Sequence, residues 1–443
     1  MFCFWHSNKS EKATSMRSKI SKRLKFLSQA KNYSINLPVS NKPVSLSTIV
    51  FQIFIILSPT LSVLSLLYIS DWSLFRLAGI RGSDFMDYQT ILSYRQCLKE
   101  TNLFEFPPHF SECWAGFNYG FSAILLVGGL NYFLGSVAAV GWTTIFLVVI
   151  SLVSLSFYSG AHDFKGRIFQ SLLIVSPGML LLYERGNLDS WIYIFSIILV
   201  LAHKHVSPFL LFICLFLVTM IKFHTLLASL YLISRLPISK NYKVFMLISI
   251  SLATGISLAP MVSLIPYNWF ISFGSFMPFI YLDFGLTSIN FESLSLGIRI
   301  FMGFTFFACL AFLARWALPS FRKLVVLETV PRLNENVMLN YFSICYLSSF
   351  FLSTNYDYRL VFLMPALIIF DRDLFAKKVS SNERKFFMVL ALSSLYIGSV
   401  YGAPHFFLQA FQFVGDVGLS LISTILLVRL LSNFYVVRLQ RWS

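Results

Sequence analysis

The chain has 443 residues, of which 57% are hydrophobic, and its mean hydropathy is +0.72. A soluble globular protein cannot bury so much apolar surface, and apolar runs of roughly 17 to 25 residues recur along the sequence. These features exclude a single large soluble core. The formal net charge is +16, but the basic residues form short clusters between apolar runs. We therefore assign them to membrane topology rather than to nucleic acid binding.

The spans are predicted in chain order from hydropathy and charge. Segment 1–47 is basic, with Glu11 as its one acid, and is predicted to be a cytoplasmic tail. The first apolar run, 48–70, begins too far along the chain for a cleaved signal and is predicted to be a retained anchor. Further spans are predicted at 138–159, 168–183, 189–203, 207–222, 224–236, 244–266, 298–318, 340–355, 359–371, 387–402 and 408–431.

These twelve spans define an all-α, polytopic transmembrane bundle, 48–432, with both termini in the cytoplasm and a second cytoplasmic tail at 433–443. This arrangement puts most Lys and Arg residues inside. The stretch 117–135 is apolar enough to span, but a span there would place the basic loop 161–167 outside, so we interpret it as re-entrant or interfacial. The short spans 189–203, 224–236 and 359–371 predict broken helices around a polar cavity.

The first outer loop, 71–116, is the longest polar segment outside the amino-terminal tail. Asp84 and Asp87 lie three residues apart in its segment SDFMDY (83–88) and would share one face of a short helix. Either carboxylate could act as a general base, although Asp84 could instead cap a helix. Cys97 and Cys113 also lie in this loop, where a disulfide and two free thiols are both consistent with the sequence.

Three later polar segments, YERGNLD (183–189), MIKFHT (220–225) and NYDYR (355–359), interrupt apolar sequence on the same predicted outer face. Each has a structural alternative: capping by Asn187, a surface pair of Glu184 with Arg185, snorkelling of Lys222, or an aromatic belt. Charge at membrane depth is costly and by default indicates function. The candidate residues are Glu184, Arg185, Asn187, Asp189, Lys222, His224, Tyr356, Tyr358 and Arg359.

Motifs for several kinds of chemistry are missing from the sequence. It contains no phosphate-binding glycine loop, no paired cysteine motif, no metal-binding His-Glu spacing and no serine elbow. We therefore expect neither a metal nor a cofactor, and no nucleotide hydrolysis.

Several short motifs resemble those of a known superfamily. They are DFxxY at 84–88, NY at 118–119, RGNxD at 185–189, Lys222 at a helix end and YR at 358–359. Together they resemble the C-fold (GT-C) glycosyltransferases that use polyprenyl-phosphate-linked sugars, in particular the family 87 mannosyltransferase-like branch. The resemblance covers about 80–370.

The resemblance implies a hexosyl- or pentosyltransferase with an aspartate as general base in the first outer loop. The DFxxY pattern puts this role on Asp84, with Asp87 in reserve. Lys222 and Arg359 would contact the donor's lipid phosphate. Glu184, Asn187 and Asp189 would shape the sugar pocket.

The remaining substrate-binding candidates are Tyr88, Arg185, His224, Tyr356 and Tyr358. The implied partners are a polyprenyl-phosphate-linked sugar donor, a lipid or glycan acceptor, and membrane lipids. A single displacement at the anomeric carbon would invert it, with the base deprotonating the acceptor hydroxyl and cations stabilising the departing lipid phosphate.

Two other functions remain open from the sequence. Twelve helices with cytoplasmic termini are common in secondary transporters, although no repeat relates the halves. A polysaccharide polymerase or a lipid-linked oligosaccharide flippase would also have Arg and Tyr around an outward cavity. We expect a bacterial inner membrane with the site facing outward, or else an endoplasmic reticulum membrane with a lumenal site, and the predicted outer segments contain no glycosylation sequon.

Overall fold

The computed structural model describes residues 85–100, 121–159, 164–262, 337–352, 357–376, 380–397 and 406–440, with scattered positions between 298 and 312. Of these residues 90% are helical, and no strand occurs among them. The predicted all-α class is therefore confirmed for the described part of the chain. The predicted tail 1–47, the first span 48–70 and Cys113 lie outside it.

The first nine helices carry most of the polar segments identified in the sequence. They are α1 (Met86–Glu100), α2 (Phe121–Leu134), α3 (Val137–Ser159), α4 (Phe164–Ile174), α5 (Pro177–Arg185), α6 (Asp189–Ala202), α7 (Pro208–Ile221), α8 (Leu226–Ser234) and α9 (Lys240–Val262). A short 3-10 helix, Phe223–Thr225, separates α7 from α8.

Four further helices and a second 3-10 helix are described in the later part of the chain. They are α10 (Val337–Leu352), the 3-10 helix Asp357–Phe362, α11 (Leu363–Ala376), α12 (Ser381–Ile397) and α13 (Phe406–Gln440). Helix α13 continues past residue 432, where the sequence predicted the start of the second tail.

The predicted span 168–183 is divided into two helices, α4 and α5. The break falls at Val175 and Ser176, where Ser176 has an extended backbone (φ −63°, ψ 149°) and Pro177 starts α5. Proline disfavours helical geometry in the residue before it and has no amide hydrogen to donate, so it begins a helix more readily than it continues one. The same device starts α7, where Pro208 follows Ser207 and the Ser207 side chain accepts a hydrogen bond from the Leu210 amide at 3.2 Å.

Within the described residues, two helical segments are long and apolar enough to cross a membrane, Val137–Leu155 and Val414–Leu431. Shorter apolar helices include Ala123–Leu134, Asp189–Ala202 and Pro208–Ile221. Large apolar side chains are exposed on many helices: the exposed fraction is 83% for Phe133 and 63% for Phe146. A water-soluble monomer rarely exposes so much apolar surface, and these features support a membrane location.

The helices are joined inside by a shared apolar core and by hydrogen bonds between buried side chains. Hydroxyl pairs link α6 to α10 (Ser196 and Tyr341, 3.1 Å) and α10 to α13 (Tyr346 and Ser423, 3.0 Å). The Asn340 amide donates to the Tyr231 hydroxyl at 3.0 Å and links α10 to α8. In membranes such bonds stabilise helix association by roughly 0.6 kcal/mol each, and they fix which helix faces meet.

Candidate functional site

Four helix ends bring the polar segments together. Helix α5 ends at Arg185, Gly186 turns the chain in the left-handed conformation (φ 60°), and α6 begins three residues later at Asp189. Helix α7 ends at Ile221, after which Lys222 is extended (φ −149°, ψ 127°). The start of α6 therefore lies beside the end of α7, and the start of α1 packs against α5.

Asp87, in the first turn of α1, receives donors from the α5 end. Arg185 Nε donates to Asp87 Oδ1 at 2.9 Å, and its Nη2 lies 2.8 Å from the same oxygen. The other carboxylate oxygen, Oδ2, accepts a hydrogen bond from the Asn187 amide. Both oxygens of Asp87 are thus fixed in place by residues about 100 positions later in the chain.

Asn187 connects the two acids of the site. Its side-chain oxygen accepts a hydrogen bond from the Asp189 backbone amide at 2.9 Å, which is the geometry of an Asx turn, whereas the N-cap residue of α6 is Leu188 and not Asn187, the cap that the sequence suggested as an alternative. The same oxygen lies 3.5 Å from Lys222 Nζ, while its amide nitrogen reaches Asp87. One side chain therefore forms the turn before α6 and also connects the two acids.

Asp189 pairs with the cation at the end of α7. Lys222 Nζ donates to Asp189 Oδ2 at 2.9 Å, and His224 Nε2 lies 3.8 Å from Asp189 Oδ1. The His224 ring packs edge-on against Phe362 of the second 3-10 helix, with 5.2 Å between the ring centroids. Lys222 does not snorkel in this arrangement, since it is buried and its ammonium group faces a carboxylate.

We call Asp87, Arg185, Asn187, Asp189, Lys222 and His224 the site network. Its two carboxylates face one guanidinium and one ammonium group, so its formal charge is zero when His224 is neutral. Five of its members are less than 9% exposed, whereas the Arg185 side chain is 27% exposed. Arg185 is therefore the member of the network through which a ligand can approach.

Tyr88 and Phe85 support the network rather than joining it. The Tyr88 side chain is fully buried and its hydroxyl donates to Thr144 Oγ1 of α3 at 3.1 Å. Burial raises the pKa of Tyr88, so its phenol remains a neutral donor at ordinary pH. Phe85 has a left-handed backbone (φ 58°), and its ring lies against Gly141, where a Cβ atom would clash.

Other predicted site residues are described only in part. Glu184 lies in α5, and Tyr358 and Arg359 lie in the 3-10 helix Asp357–Phe362, but their side chains are not described. That 3-10 helix packs against α5 and α6 and so lies beside the site network. Asp84 and Tyr356 lie outside the described residues, and their roles stay predictions.

The sequence analysis missed Thr144, Phe85 and Gly141, and it also missed a second group of buried charges. Asp371 accepts two hydrogen bonds from Arg384 of α12, from Nε at 2.7 Å and from Nη2 at 2.9 Å. Asp373 pairs with Arg372 at 2.6 Å and lies 3.5 Å from Arg429 of α13. We call Asp371, Arg372, Asp373, Arg384 and Arg429 the distal cluster. The sequence feature that could have revealed the distal cluster is the acid-base-acid triplet at 371–373, which follows directly after an apolar run.

Among the residues that the structure describes, no group of three or more His, Cys, Asp or Glu side chains has the proximity needed to hold a metal ion. Across the described residues, the fold and site thus define a helical protein with membrane-length helices and a buried, charge-balanced network at four helix ends. No protein-family model, no curated protein and no solved structure matches the chain.

Proposed function

We propose that this protein is an integral membrane glycosyltransferase of the GT-C type. It transfers a sugar from a polyprenyl-phosphate donor to a lipid or glycan acceptor and inverts the anomeric centre. The observation that carries the proposal is the site network, in which acids and bases from three distant segments meet in one buried group with one accessible cation. A carboxylate base for proton abstraction and cations for a departing phosphate are the groups that this reaction needs.

Asp87 is the base that the described geometry favours. Each carboxylate oxygen can accept two hydrogen bonds, and Oδ1 of Asp87 already accepts two from Arg185. Its Oδ2 accepts one from Asn187, which leaves one position for the hydroxyl of an acceptor. The Arg185 and Asn187 donors orient the carboxylate. Asp84, which the sequence motif favoured, remains the alternative base.

Arg185 and Lys222 are the proposed contacts for the donor's phosphate. A guanidinium group binds phosphate oxygens with two parallel donors, and Arg185 is the accessible member of the network. The ammonium group of Lys222 is held by its hydrogen bond to Asp189, so its charge is already positioned before the sugar donor binds. Arg359, on the adjacent 3-10 helix, is proposed to add a third cation.

The proposed setting is a bacterial inner membrane, with about twelve spans, cytoplasmic termini and the site network facing outward. The membrane-length helices and the exposed apolar side chains support the membrane location within this proposal. The site network also joins the end of α7 to the start of α6, as expected if consecutive spans run in opposite directions.

The experiment that tests this function is transfer of labelled sugar from a panel of polyprenyl-phosphate sugars to lipid and glycan acceptors by the purified chain. The native protein is compared with Asp84→Asn and Asp87→Asn in the same detergent. We expect Asp87→Asn to lower transfer by about 100-fold or more, which is the usual contribution of a general base. Loss of sugar transfer in Asp84→Asn but not in Asp87→Asn would assign the role of base to Asp84. The proposal would be contradicted if the native chain consumed no polyprenyl-phosphate sugar.

A secondary transporter is the second candidate, and one observation favours it. The chain between α7 and α8 is broken at Lys222, so a buried cation lies where two short helices meet. Transporters bind substrates at such breaks. Proteoliposomes that move a solute without consuming a lipid-linked sugar would favour this function over sugar transfer.

A further inference from the structure

An open groove lies between α8, α9 and α10, away from the site network. Its volume is about 690 Å³, and its lining is almost entirely apolar. Leu227 of α8 and Ile248 and Leu252 of α9 line it and are 45%, 53% and 61% exposed. On α8 the lining runs from Leu227 to Ser234, which is a length of roughly 10 Å along the helix.

Basic side chains gather at one end of this groove. Ser234 lines the groove at the end of α8, and its backbone oxygen accepts a hydrogen bond from Lys243 Nζ at 2.9 Å. The next residue, Arg235, places its guanidinium carbon 5.3 Å from the ring centroid of Tyr231, another lining residue. The sequence contains no Asp or Glu between residues 190 and 282, so α8 and α9 bring no acid to this end.

We propose that this groove binds an anionic glycerophospholipid. One acyl chain lies along the apolar lining, and the phosphate headgroup binds Arg235 and Lys243. Basic pockets between membrane helices attract anionic headgroups, and an exposed apolar channel that continues from such a pocket matches the two parts of a phospholipid. A zwitterionic phospholipid also fills the apolar part, but the ammonium group of its own headgroup offsets the attraction between its phosphate and the two cations.

The proposed lipid site is separate from the proposed donor site. Lys222 precedes α8, whereas Arg235 follows it, so the cations of the two sites lie at opposite ends of this nine-residue helix. The inference therefore does not depend on the reaction that the site network performs. It assigns a role to residues that the sequence analysis used only to set the direction of the spans.

The test measures lipid binding by native mass spectrometry of the full chain in detergent, titrated with phosphatidylglycerol or phosphatidylcholine. Arg235→Gln/Lys243→Gln removes the basic end, and Ile248→Trp fills the groove from an exposed position. Lys165→Gln/Lys204→Gln is the matched control, since it removes two exposed cations elsewhere and changes the net charge equally. Lys222→Gln tests the donor site.

We expect the first phosphatidylglycerol to bind about 30-fold more weakly to Arg235→Gln/Lys243→Gln, the ratio expected for two cations near a headgroup. Ile248→Trp should also weaken it, while the matched control and Lys222→Gln keep the native affinity. Phosphatidylcholine should bind weakly and equally to the native chain and to Arg235→Gln/Lys243→Gln. An unchanged affinity in the double variant, an equal loss in the matched control, or a loss confined to Lys222→Gln would overturn the proposal.

Discussion

The site network and the distal cluster use similar side chains in different ways. In the distal cluster, Arg384 meets both oxygens of Asp371 with parallel donors, and its guanidinium lies 4.8 Å from the Phe375 ring centroid. In the site network, Arg185 places both donors on one oxygen of Asp87 and remains partly exposed. A pair with two parallel donors and a stacked ring suits permanent attachment of helices, whereas a carboxylate that keeps an open acceptor position beside a partly exposed arginine retains room for a ligand.

The two groups also differ in what they connect. The distal cluster joins α11 to α12 and α13 through side chains that lie on regular helices. The site network lies where helices end, at a left-handed glycine and an extended lysine. Side chains on regular helices are held rigidly. A helix that breaks within a membrane loses backbone hydrogen bonds, and such breaks are tolerated mainly where they line a buried or functional site. The comparison predicts that changes in the distal cluster lower stability and that changes in the site network lower activity.

The largest effect on stability is expected for Asp371→Asn. Asp371 is fully buried, and the substitution removes the negative charge that Arg384 contacts with two hydrogen bonds. Removal of one partner of a buried ion pair costs about 3 to 5 kcal/mol. The change in the free energy of unfolding is measured by unfolding the purified native and variant proteins in a denaturing detergent. A change in the free energy of unfolding of less than about 1 kcal/mol would show that the pair does not hold α11 to α12.

Lys222→Gln is expected to lower sugar transfer by about 100-fold, because a preorganised cation that stabilises a departing phosphate is lost. The variant also leaves Asp189 without its ammonium partner, which complicates the result. The double variant Asp189→Asn/Lys222→Gln removes both charges and should recover stability but not transfer. Recovery of transfer in the double variant would assign Lys222 a purely structural role.

Gly186→Ala should lower stability by about 1 to 2 kcal/mol, because alanine is strained in the left-handed region. A Cβ atom there would also lie 2.8 Å from the Tyr88 ring. The control is Gly255→Ala in α9, where no atom lies within 4 Å of the added carbon and the change should be neutral or slightly stabilising. Equal unfolding free energies for the two variants would contradict the assigned turn.

Thr144→Val should have the smallest effect, about 1 kcal/mol, since it removes the acceptor of the Tyr88 hydroxyl. Thr254→Val is the control: both threonines donate to a carbonyl one turn earlier, but only Thr144 has the bond to Tyr88 described above. The difference between the two free energies of unfolding measures that bond. No difference would show that Tyr88 does not anchor α1 to α3.

Much of the site could be predicted because charges are conspicuous in apolar sequence. Arg185, Asn187, Asp189 and Lys222 were all identified from polar segments that interrupt hydrophobic runs. Their pairing was not predictable, because it depends on the left-handed turn at Gly186 and on contact between α6 and α7. The sequence motif also ranked Asp84 before Asp87, and motif spacing carries no information on which carboxylate meets Arg185.

The fold class followed from composition, but two details did not. Hydropathy alone joined α4 and α5 into one span, although the Ser176-Pro177 pair carried the signal for a break. The basic residues of the distal cluster contributed only to the predicted direction of the spans. Their pairing was not predicted, since Arg384 and Arg429 have no sequence neighbour that reveals their acid partners. Long-range pairs of this kind depend on helix packing, which periodicity does not specify.

The most direct test of the account is one assay on two matched variants, Asp87→Asn and Asp371→Asn. Each replaces a buried, guanidinium-paired carboxylate with its amide, one in the site network and one in the distal cluster. Sugar transfer is measured per folded molecule, alongside the free energy of unfolding. The account predicts that Asp87→Asn stays folded and loses transfer, while Asp371→Asn loses stability and its folded fraction still transfers. Native transfer by Asp87→Asn, or loss of transfer by folded Asp371→Asn, would contradict it.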